Sequence, residues 1–378
     1  MKVMLIEDDM SKHDAIASYL VENGVLEKDI IHAWNMTDFS ANLNEDIGLF
    51  IIDFKLPSVE NAPPSPNGKA ILETVLKAGK QNALLLAISS YPEDFEDLRQ
   101  VYEAQGCILA DFTNEEGWQS TLDHLLIQFR LNIRFDFVIF CALREERNPY
   151  VTLIEGRQIT RYGIDCYDVT VGRASGTIVL LPKMGLVNAA VTAGLCIDRF
   201  SPAFVGMSGI CGGFEGRATL GQLIVSSMAY EYQSGKWVKD GFQQEPYQVQ
   251  PDNITLTDLD VMTNGDQLLA ELENGFSGTF PSSSQKPTMG IFTSGSAVIA
   301  DKKFMKQISA VHRKVNALDM EVFAIHRAAE LSPKQTHCVC AKTVVDMGDS
   351  NKGDEIHPYG SYISAKFMIA AIRNILKT

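Results

Sequence analysis

The chain contains no long apolar run, no surplus of basic residues and no dense set of cysteines. Because no stretch of about 18 apolar residues occurs, no membrane-spanning helix and no membrane partner are expected. The 47 acidic side chains outnumber the 33 basic ones, which gives a net charge of −14. This balance argues against a nucleic-acid-binding protein, since phosphate neutralisation needs a basic face. It leaves room for a local basic pocket that binds a small anion.

Cysteine is scarce, and its seven copies are scattered through apolar runs. An odd number in a large chain predicts reduced core thiols rather than a disulfide framework. Cys338 and Cys340 share one face of a predicted strand, but no second Cys/His pair completes a zinc site. The opening residues MKVMLIEDD soon turn acidic, which does not fit a secretory signal. We therefore expect a cytoplasmic protein.

The 378 residues, of which 46% are hydrophobic, suffice for two packed domains. In residues 1–131, apolar runs such as 2–6, 49–54 and 83–89 alternate with helical patterns, one of them at 93–104. This alternation predicts an α/β fold with a doubly wound parallel sheet. Such sheets bind ligands at the carboxyl ends of their strands.

A second α/β domain is predicted for residues 134–378, because a new buried strand begins at 135 with no flexible linker before it. Strands and helices alternate again around a Gly-rich middle. The stretch 233–290 is rich in Gln, Pro, Ser and Asp. We expect it to be a peripheral excursion or a partly mobile loop.

Acidic residues follow the predicted strands of the first domain. Glu7 and Asp8 come after the first strand, Asp53 after the third, and Ser89 ends the fourth. Carboxylates gathered in one crevice repel one another unless a hard divalent cation such as Mg²⁺ joins them. A carboxylate beside that metal can accept a phosphoryl group, and the Ser89 hydroxyl can hydrogen-bond it. The alternative is that these are ordinary solvated acids at strand ends.

The patterns LIEDD, IIDFKLP and AISSY resemble those of the receiver domain of two-component response regulators, over essentially residues 1–131. The resemblance implies a flavodoxin-like, five-stranded parallel sheet. It also implies Mg²⁺ bound by Glu7, Asp8 and Asp53, and phosphorylation of Asp53 by a histidine kinase or phosphotransfer protein. Ser89 matches the switch hydroxyl of that family.

Two features of this domain depart from the receiver pattern. The loop after Asp53 carries an insertion before Gly68. The lysine expected after the fifth strand is absent, since GCILADFTNEE offers Ala110 or Asp111 there. In the family, that lysine pairs with the phosphoryl group. A switch driven by phosphorylation would therefore lack one of its usual contacts in this chain.

Four segments of the second domain carry candidate chemistry: CALREER, SGICGGFEG, ALDMEVFAI and TVVDMGDSNKGDE. They place Glu146, Glu321 and Asp346 at strand or helix ends, where carboxylates can act as acid, base and hydroxyl ligand. Singly, each has an ordinary explanation as a solvated, helix-capping or dipole-stabilising acid. The Gly-rich turn fits neither the dinucleotide fingerprint nor a P-loop.

Taken in order, these segments resemble the nucleoside phosphorylase and nucleosidase superfamily, over residues 135–378. The resemblance implies an α/β domain with a mixed central sheet, and it assigns roles to individual residues. Glu321 binds the ribose hydroxyls, and Asp346 protonates or hydrogen-bonds purine N7. The other implied substrate contacts come from residues that pack on the sugar, contact adenine or form the ligand loop: Met320, Val298, Ile299, Gly209 and Ile210.

The Gly-rich turn bears on the choice between phosphorolysis and hydrolysis. Phosphorylases of this family hold phosphate with a Ser or Thr in that turn, where this chain has Ile210 and Cys211. CALREER instead resembles the nucleosidase pattern in which a Glu, here Glu146, orients water. The resemblance therefore implies hydrolysis, with no cofactor required for the glycosidic bond.

The segment after Asp346 is polar and resembles a signature of nucleosidase domains fused to fungal and bacterial immune receptors. Some of these, including receiver-linked effectors of antiviral two-component systems, are ATP nucleosidases. We therefore expect a phosphorylation-regulated N-glycosidase acting on ATP or a related adenine nucleotide. Basic side chains either meet the 5′-triphosphate or are ordinary surface charge; the candidates are Lys352, Lys342, Arg144 and Arg147.

Two other functions stay open at this point. One is a methylthioadenosine/adenosylhomocysteine nucleosidase under receiver control. The other is a non-catalytic nucleoside-binding signalling module. The family resemblance further suggests a homodimer or a higher oligomer.

Overall fold

The computed structural model describes residues 2–80, 82–90, 99–100, 102–131, 133–245, 247–283, 285–348 and 354–378. The chain divides into two compact units, Met1–Ile133 and Arg134–Thr378. Among the described residues, no helix has both the length and the apolar character needed to span a membrane. All seven cysteines are buried and none is in a disulfide, which confirms the prediction of core thiols.

The first unit is built on a five-stranded parallel sheet with strand order β2-β1-β3-β4-β5. This confirms the predicted doubly wound, flavodoxin-like sheet. Its strands are β1 Lys2–Ile6, β2 Ile30–Ala33, β3 Ile47–Ile52, β4 Leu84–Ser89 and β5 Ile108–Asp111. Its described helices are α1 Met10–Glu22, α2 Met36–Asn42, α3 Gly68–Lys77 and α4 Glu115–Leu131, with a 3₁₀ turn at Glu27–Asp29.

Apolar side chains cover both faces of this sheet. Its strands are therefore continuous apolar runs in the sequence rather than alternating ones. The whole of β3 is buried. Helix α1 begins directly after β1 because the Asp9 side chain caps it, accepting a hydrogen bond of 2.9 Å from the backbone N–H of Lys12. Most of the helix predicted at 93–104 lies outside the described residues.

The mixed sheet predicted for the second unit is confirmed, and among the described residues it has ten strands. Its strands are β6 Phe137–Cys141, β7 Gly156–Arg161, β8 Ile164–Val171, β9 Ala174–Leu180, β10 Phe204–Gly213, β11 Leu223–Glu231, β14 Gln248–Val249, β15 Thr288–Ser294, β16 Val315–Asp319 and β17 His337–Asp346. A separate hairpin is formed by β12 Gly235–Val238 and β13 Gly241–Gln244. The helices are α5 Arg144–Leu153, α6 Leu186–Phe200, α7 Asn253–Asn264, α8 Leu268–Glu273, α9 Lys302–Ala310, α10 Val322–Glu330 and α11 His357–Ile375, with a 3₁₀ turn at Asp354–Ile356.

Strand pairing closes part of this sheet into a ring. β10 pairs with β17, β17 with β11, β11 with β15, β15 with β16, and β16 returns to β10. Because β10 and β17 run parallel, Gly212 and Asp346 lie side by side at their carboxyl ends. Helices α6 and α10 pack on one face of the sheet and α11 on the other, each over its own apolar cluster.

The expectation of a loop at 233–290 was wrong for much of that stretch. It contains the β12–β13 hairpin, β14, α7, α8 and the start of β15. Asp252 caps α7 by accepting hydrogen bonds of 3.0 Å from the backbone N–H groups of Ile254 and Thr255. Leu259 and Leu272 are buried in the core. The composition is polar because these helices expose one face, while a few apolar side chains suffice to anchor the other.

Candidate active site

A pocket at the carboxyl ends of β10 and β17 gathers most of the residues predicted for the second domain. It is also bordered by the start of α5, the segment before α9 and the turn between β16 and α10. The predicted residues that line it are Glu146, Ile210, Val298, Ile299, Met320, Glu321, Lys342 and Asp346. Of the other predicted contacts, Gly209 lies behind this lining and Lys352 lies outside the described residues.

Glu146 is held in the pocket by three backbone donors. Its Oε2 accepts hydrogen bonds from the N–H groups of Ala142 (2.7 Å) and Leu143 (2.9 Å). Its Oε1 accepts one of 2.9 Å from Ile210 N–H. The side chain is only 2% exposed, and this burial raises the pKa of Glu146 even though Lys342 and the backbone donors act in the opposite direction. The carboxylate is therefore fixed in orientation, with Oε1 accepting a single protein hydrogen bond.

Gly209 was predicted to contact the substrate, but in the structure its lack of a side chain makes room for the Glu146 carboxylate. Its φ is +154°, and a Cβ there would lie 2.0 Å from Glu146 Oε1. Glycine at this position is what allows Glu146 to approach the β10 backbone so closely.

Glu321 stands at the start of α10 and is anchored through both of its oxygens. Oε1 accepts a hydrogen bond of 2.8 Å from Gly185 N–H, and Oε2 accepts one of 2.8 Å from Lys342 Nζ. Lys342 Nζ also lies 2.9 Å from Asp319 Oδ2. Burial alone would lower the pKa of Lys342, but the Asp319 and Glu321 carboxylates outweigh it and hold that pKa well above its usual value. Lys342 is thus a charged lysine inside an ion-pair network.

Asp319 and Ser294 belong to this network, and the sequence analysis missed both. The Ser294 hydroxyl donates a 2.6 Å hydrogen bond to Asp319 Oδ1, and Oδ2 accepts from the backbone N–H of Val322 at 2.9 Å. Asp319 therefore accepts from a backbone N–H at the start of the helix that follows Glu321 and so stabilises that end of the helix. Its place two residues before Glu321 in LDMEV was the available signal, because an Asp there can cap the following helix.

Asp346 ends β17 opposite Gly212 and is half-buried. Its Oδ1 accepts a 2.7 Å hydrogen bond from Gly348 N–H. A Cβ on Gly212 would lie 3.2 Å from that same oxygen, so the Gly-rich end of β10 gives Asp346 its room. The carboxyl group lines the pocket that Glu146 and Glu321 also border.

The basic residues considered for a triphosphate differ in their environments. Arg147 is buried and lies 2.7 Å from Asp165, and Lys342 is engaged as described above. Arg144 is exposed and lines a second cleft together with Lys183, which the sequence analysis did not single out. That cleft shares Ala142, Leu143 and Met184 with the first pocket, so the two cavities adjoin.

In the first unit, the predicted acidic residues come together. Ligand oxygens of Glu7, Asp8 and Asp53 lie within 4.8 Å of one another, at the ends of β1 and β3. Burial raises the pKa of Glu7 to about 7, although Lys12 beside it acts in the opposite direction. Ser89, at the end of the neighbouring β4, is buried.

The ammonium group of Lys12 lies among these carboxylates, 2.6 Å from both Glu7 Oε2 and Asp53 Oδ1. Mg²⁺ binds oxygen at about 2.1 Å, so a metal bound to the same two oxygens would occupy the volume of that ammonium group. As arranged here, the donor set does not fit the magnesium ion that the receiver resemblance implies.

A second group of metal-type donors lies in the core of the second unit. His326, Cys338 and Cys340 place donor atoms within 4.8 Å of one another, and all three are buried. His326 Nε2 is 2.9 Å from the Ser226 hydroxyl, so that ring nitrogen already has a partner. The cluster supplies three donors where a structural zinc site takes four.

Comparison with known proteins points to one family for the second unit. A family model described as the phosphorylase superfamily matches residues 136–376. Over 56% of its length, the chain is 24% identical to the ATP nucleosidase Cap17 of Escherichia coli, but it spans only 45% of that protein. The uncharacterized protein y4jS of Sinorhizobium fredii is 26% identical over the full length of both chains. The solved 5′-methylthioadenosine/S-adenosylhomocysteine nucleosidase of Neisseria meningitidis matches 63% of this chain and 98% of its own, with a TM-score of 0.52 and 18% identity.

Replacing Gly209 with alanine should destabilise the protein by displacing Glu146. The new Cβ would clash with a buried carboxylate whose three backbone donors cannot follow it, so we expect a loss of about 1–3 kcal/mol in the free energy of unfolding. The measurement is denaturant unfolding of the purified variant. Gly194→Ala is the control, because Gly194 is exposed within α6 and a Cβ there meets nothing within 4 Å. Equal stability of Gly209→Ala and the wild type would contradict the prediction.

Proposed function

Because the chain belongs to the phosphorylase superfamily, we propose that it hydrolyses the N-glycosidic bond between adenine and ribose in ATP or a related adenine nucleotide. The observation that carries this proposal is the fixed position of Glu146. A buried carboxylate held by three backbone N–H groups, in a pocket it shares with Glu321 and Asp346, is suited to orienting a water molecule. The similarity to an ATP nucleosidase supports adenine nucleotides as the substrate class.

In the proposed reaction, the carboxylates take different parts. The C1′–N9 bond breaks as the ribose becomes oxocarbenium-like, and Asp346 supplies a proton to N7 of the departing adenine. Water adds to C1′ and gives its proton to Glu146. With ATP, the products are adenine and ribose 5-triphosphate. No metal or cofactor takes part in this step.

Glu321 is the proposed ligand of the ribose hydroxyls. An ionised carboxylate has about four acceptor sites, of which the backbone of Gly185 and Lys342 each use one. The remaining sites can accept from O2′–H and O3′–H. Lys342 then serves mainly to hold Glu321 in place rather than to bind phosphate. Met320, Val298 and Ile299 supply the apolar surface for sugar and base.

We assign the 5′-phosphates to the cleft that adjoins the pocket. Arg144 and Lys183 are exposed there, and neither forms an ion pair with a described residue. Guanidinium and ammonium groups are suited to phosphate oxygens. A second candidate, a methylthioadenosine/adenosylhomocysteine nucleosidase, is favoured by the apolar side chains Met184 and Val298, which are 44% and 63% exposed at this pocket.

We propose that the first unit is a receiver that regulates this activity. Asp53 would accept a phosphoryl group from a histidine kinase or phosphotransfer protein, and Ser89 would respond as the switch residue. An enzyme that destroys ATP must be held inactive until a signal arrives, which suits a defence effector that depletes nucleotide. The magnesium ion expected at this pocket is left out of the proposal, because Lys12 occupies its position.

The proposed enzyme is a homodimer or a higher oligomer. Val187 and Val191 stand one turn apart on α6 and are 73% and 67% exposed, and Leu331 beyond α10 is 66% exposed. Since α6 and α10 pack together, these side chains give the unit an apolar outer surface that a second copy would cover.

Adenine release, followed by chromatography, tests the proposed reaction. ATP, AMP, adenosine, methylthioadenosine and adenosylhomocysteine are offered in parallel. We expect adenine and ribose 5-triphosphate from ATP, because the cationic cleft favours a phosphorylated substrate. Preferred cleavage of the thio-nucleosides would establish the second candidate instead. Binding of adenosine without any adenine release would show a non-catalytic module.

In the same assay, Asp346→Asn and Glu146→Gln should each lower turnover by about 10²–10⁴-fold, the usual contribution of a proton-transfer group. Because burial raises the pKa of Glu146, the reactive carboxylate should be lost as pH falls through a midpoint above the ordinary Glu value of about 4.3. Glu155→Gln, at an exposed position just after α5, is the matched control. Full activity of either site variant would remove that residue from the mechanism.

Removing the cations of the second cleft should affect ATP and adenosine differently. We expect Arg144→Ala and Lys183→Ala each to raise KM for ATP by about tenfold or more, the equivalent of one charge-assisted hydrogen bond, and to leave KM for adenosine unchanged. Arg157→Ala, on the exposed strand β7, controls for a change in net charge. An equal rise for both substrates would show that the cleft does not bind phosphate.

Asp53→Asn tests the proposed regulation. The rate of adenine release by the wild type should change when a small phosphoryl donor such as acetyl phosphate is added, whereas the variant should keep its basal rate. Asp14→Asn removes an exposed carboxylate from α1 and serves as the control. A variant that responds to the donor as the wild type does would exclude Asp53 as the acceptor.

A further inference from the structure

The acidic pocket of the first unit contains a cation that belongs to the protein itself. Lys12, in the first turn of α1, is 4% exposed. Its Nζ lies 2.6 Å from Glu7 Oε2, 2.6 Å from Asp53 Oδ1 and 2.8 Å from the carbonyl oxygen of Ile88. These acceptors come from the ends of β1, β3 and β4, so the ammonium group sits where the three strands converge.

Three acceptors lie around this ammonium group, two of them in hydrogen bonds and the Glu7 carboxylate in an ion pair. A lysine ammonium has three N–H donors and no acceptor, and here three acceptors surround it. Two are carboxylates, which would repel each other in a buried site without a positive charge between them. Lys12 therefore does for Glu7 and Asp53 what a bound metal ion would otherwise do.

The position of Lys12 is set by local structure. Asp9 caps α1 through the backbone N–H of Lys12 itself, which fixes where the side chain leaves the helix. The Phe112 ring lies 5.9 Å from Nζ, on the side where the chain leaves β5. That strand ends in Ala110 and Asp111 and supplies no lysine of its own. The positive charge reaches the pocket from α1 instead.

We infer that Lys12 is the resident cation of this pocket and that it takes the place of a divalent metal. The first unit neutralises Glu7 and Asp53 with its own side chain. A divalent cation binds at these carboxylates only when the Lys12 ammonium group is removed. This inference concerns the first unit alone and does not depend on the reaction proposed for the second.

Manganese binding to the full-length chain tests the inference, because free Mn²⁺ is counted directly by its electron paramagnetic resonance signal. The wild type should show no Mn²⁺ site that depends on Asp53. Lys12→Met keeps the side-chain volume and removes the charge. It should gain one site at least about tenfold tighter than any binding by the wild type, as expected when a neighbouring positive charge is removed. The double variant Lys12→Met/Asp53→Asn should lose that site again.

Two controls make the outcome decisive. Lys77→Met removes a lysine whose side chain is 79% exposed on α3, and it should gain no Mn²⁺ site. In thermal unfolding, Mg²⁺ should stabilise Lys12→Met and leave the wild type unchanged. If Lys12→Met does not fold, the comparison of the wild type with Asp53→Asn still decides. A wild-type Mn²⁺ site that Asp53→Asn abolishes would overturn the inference, as would a folded Lys12→Met that gains no site.

Discussion

Each unit of this protein gathers carboxylates that are buried or half-buried, and in each unit a buried lysine lies between two of them. Lys12 lies between Glu7 and Asp53, and Lys342 between Asp319 and Glu321. An unpaired buried carboxylate is strongly unfavourable, so these lysines stabilise the acidic sites. Removing either lysine would leave two like charges close together without a cation between them. Removing a surface lysine should change the free energy of unfolding very little.

Sheet topology determines which acids meet. The parallel strands β1, β3 and β4 end at one edge of the first sheet, and β10 and β17 end together in the second. Functional groups placed after those strands therefore converge, although they are far apart in sequence. The Gly-rich end of β10 adds a second requirement, because Gly209 leaves the space that the Glu146 carboxylate fills.

The sequence was most informative where an acidic residue at a strand or helix end also matched a motif of the family resemblance. Glu146, Glu321 and Asp346 were identified in this way and line one pocket. Lys12 was not identified, because a helical sequence pattern does not show that the side chain of one of its residues contacts the ends of three strands. Asp319 was missed because its place before a helix does not show that it also contacts a buried lysine. Helix α7 was missed because its few buried positions give a weak periodic signal in a polar segment.

The charge of the pocket in the second unit bears on the nucleophile. Among the described residues that line it, four are carboxylic acids (Glu146, Asp319, Glu321 and Asp346), and the basic ones are Lys342 and His357. The charge of Lys342 is already matched by Asp319 and Glu321. A phosphate ion entering the same space would meet uncompensated negative charge at short range, whereas a water molecule carries none. The same field requires the phosphates of a nucleotide to lie away from these acids. The exposed cations Arg144 and Lys183 line the adjoining cleft and not this pocket. The proposed hydrolysis and the proposed binding of a nucleotide are therefore both consistent with this one charge distribution.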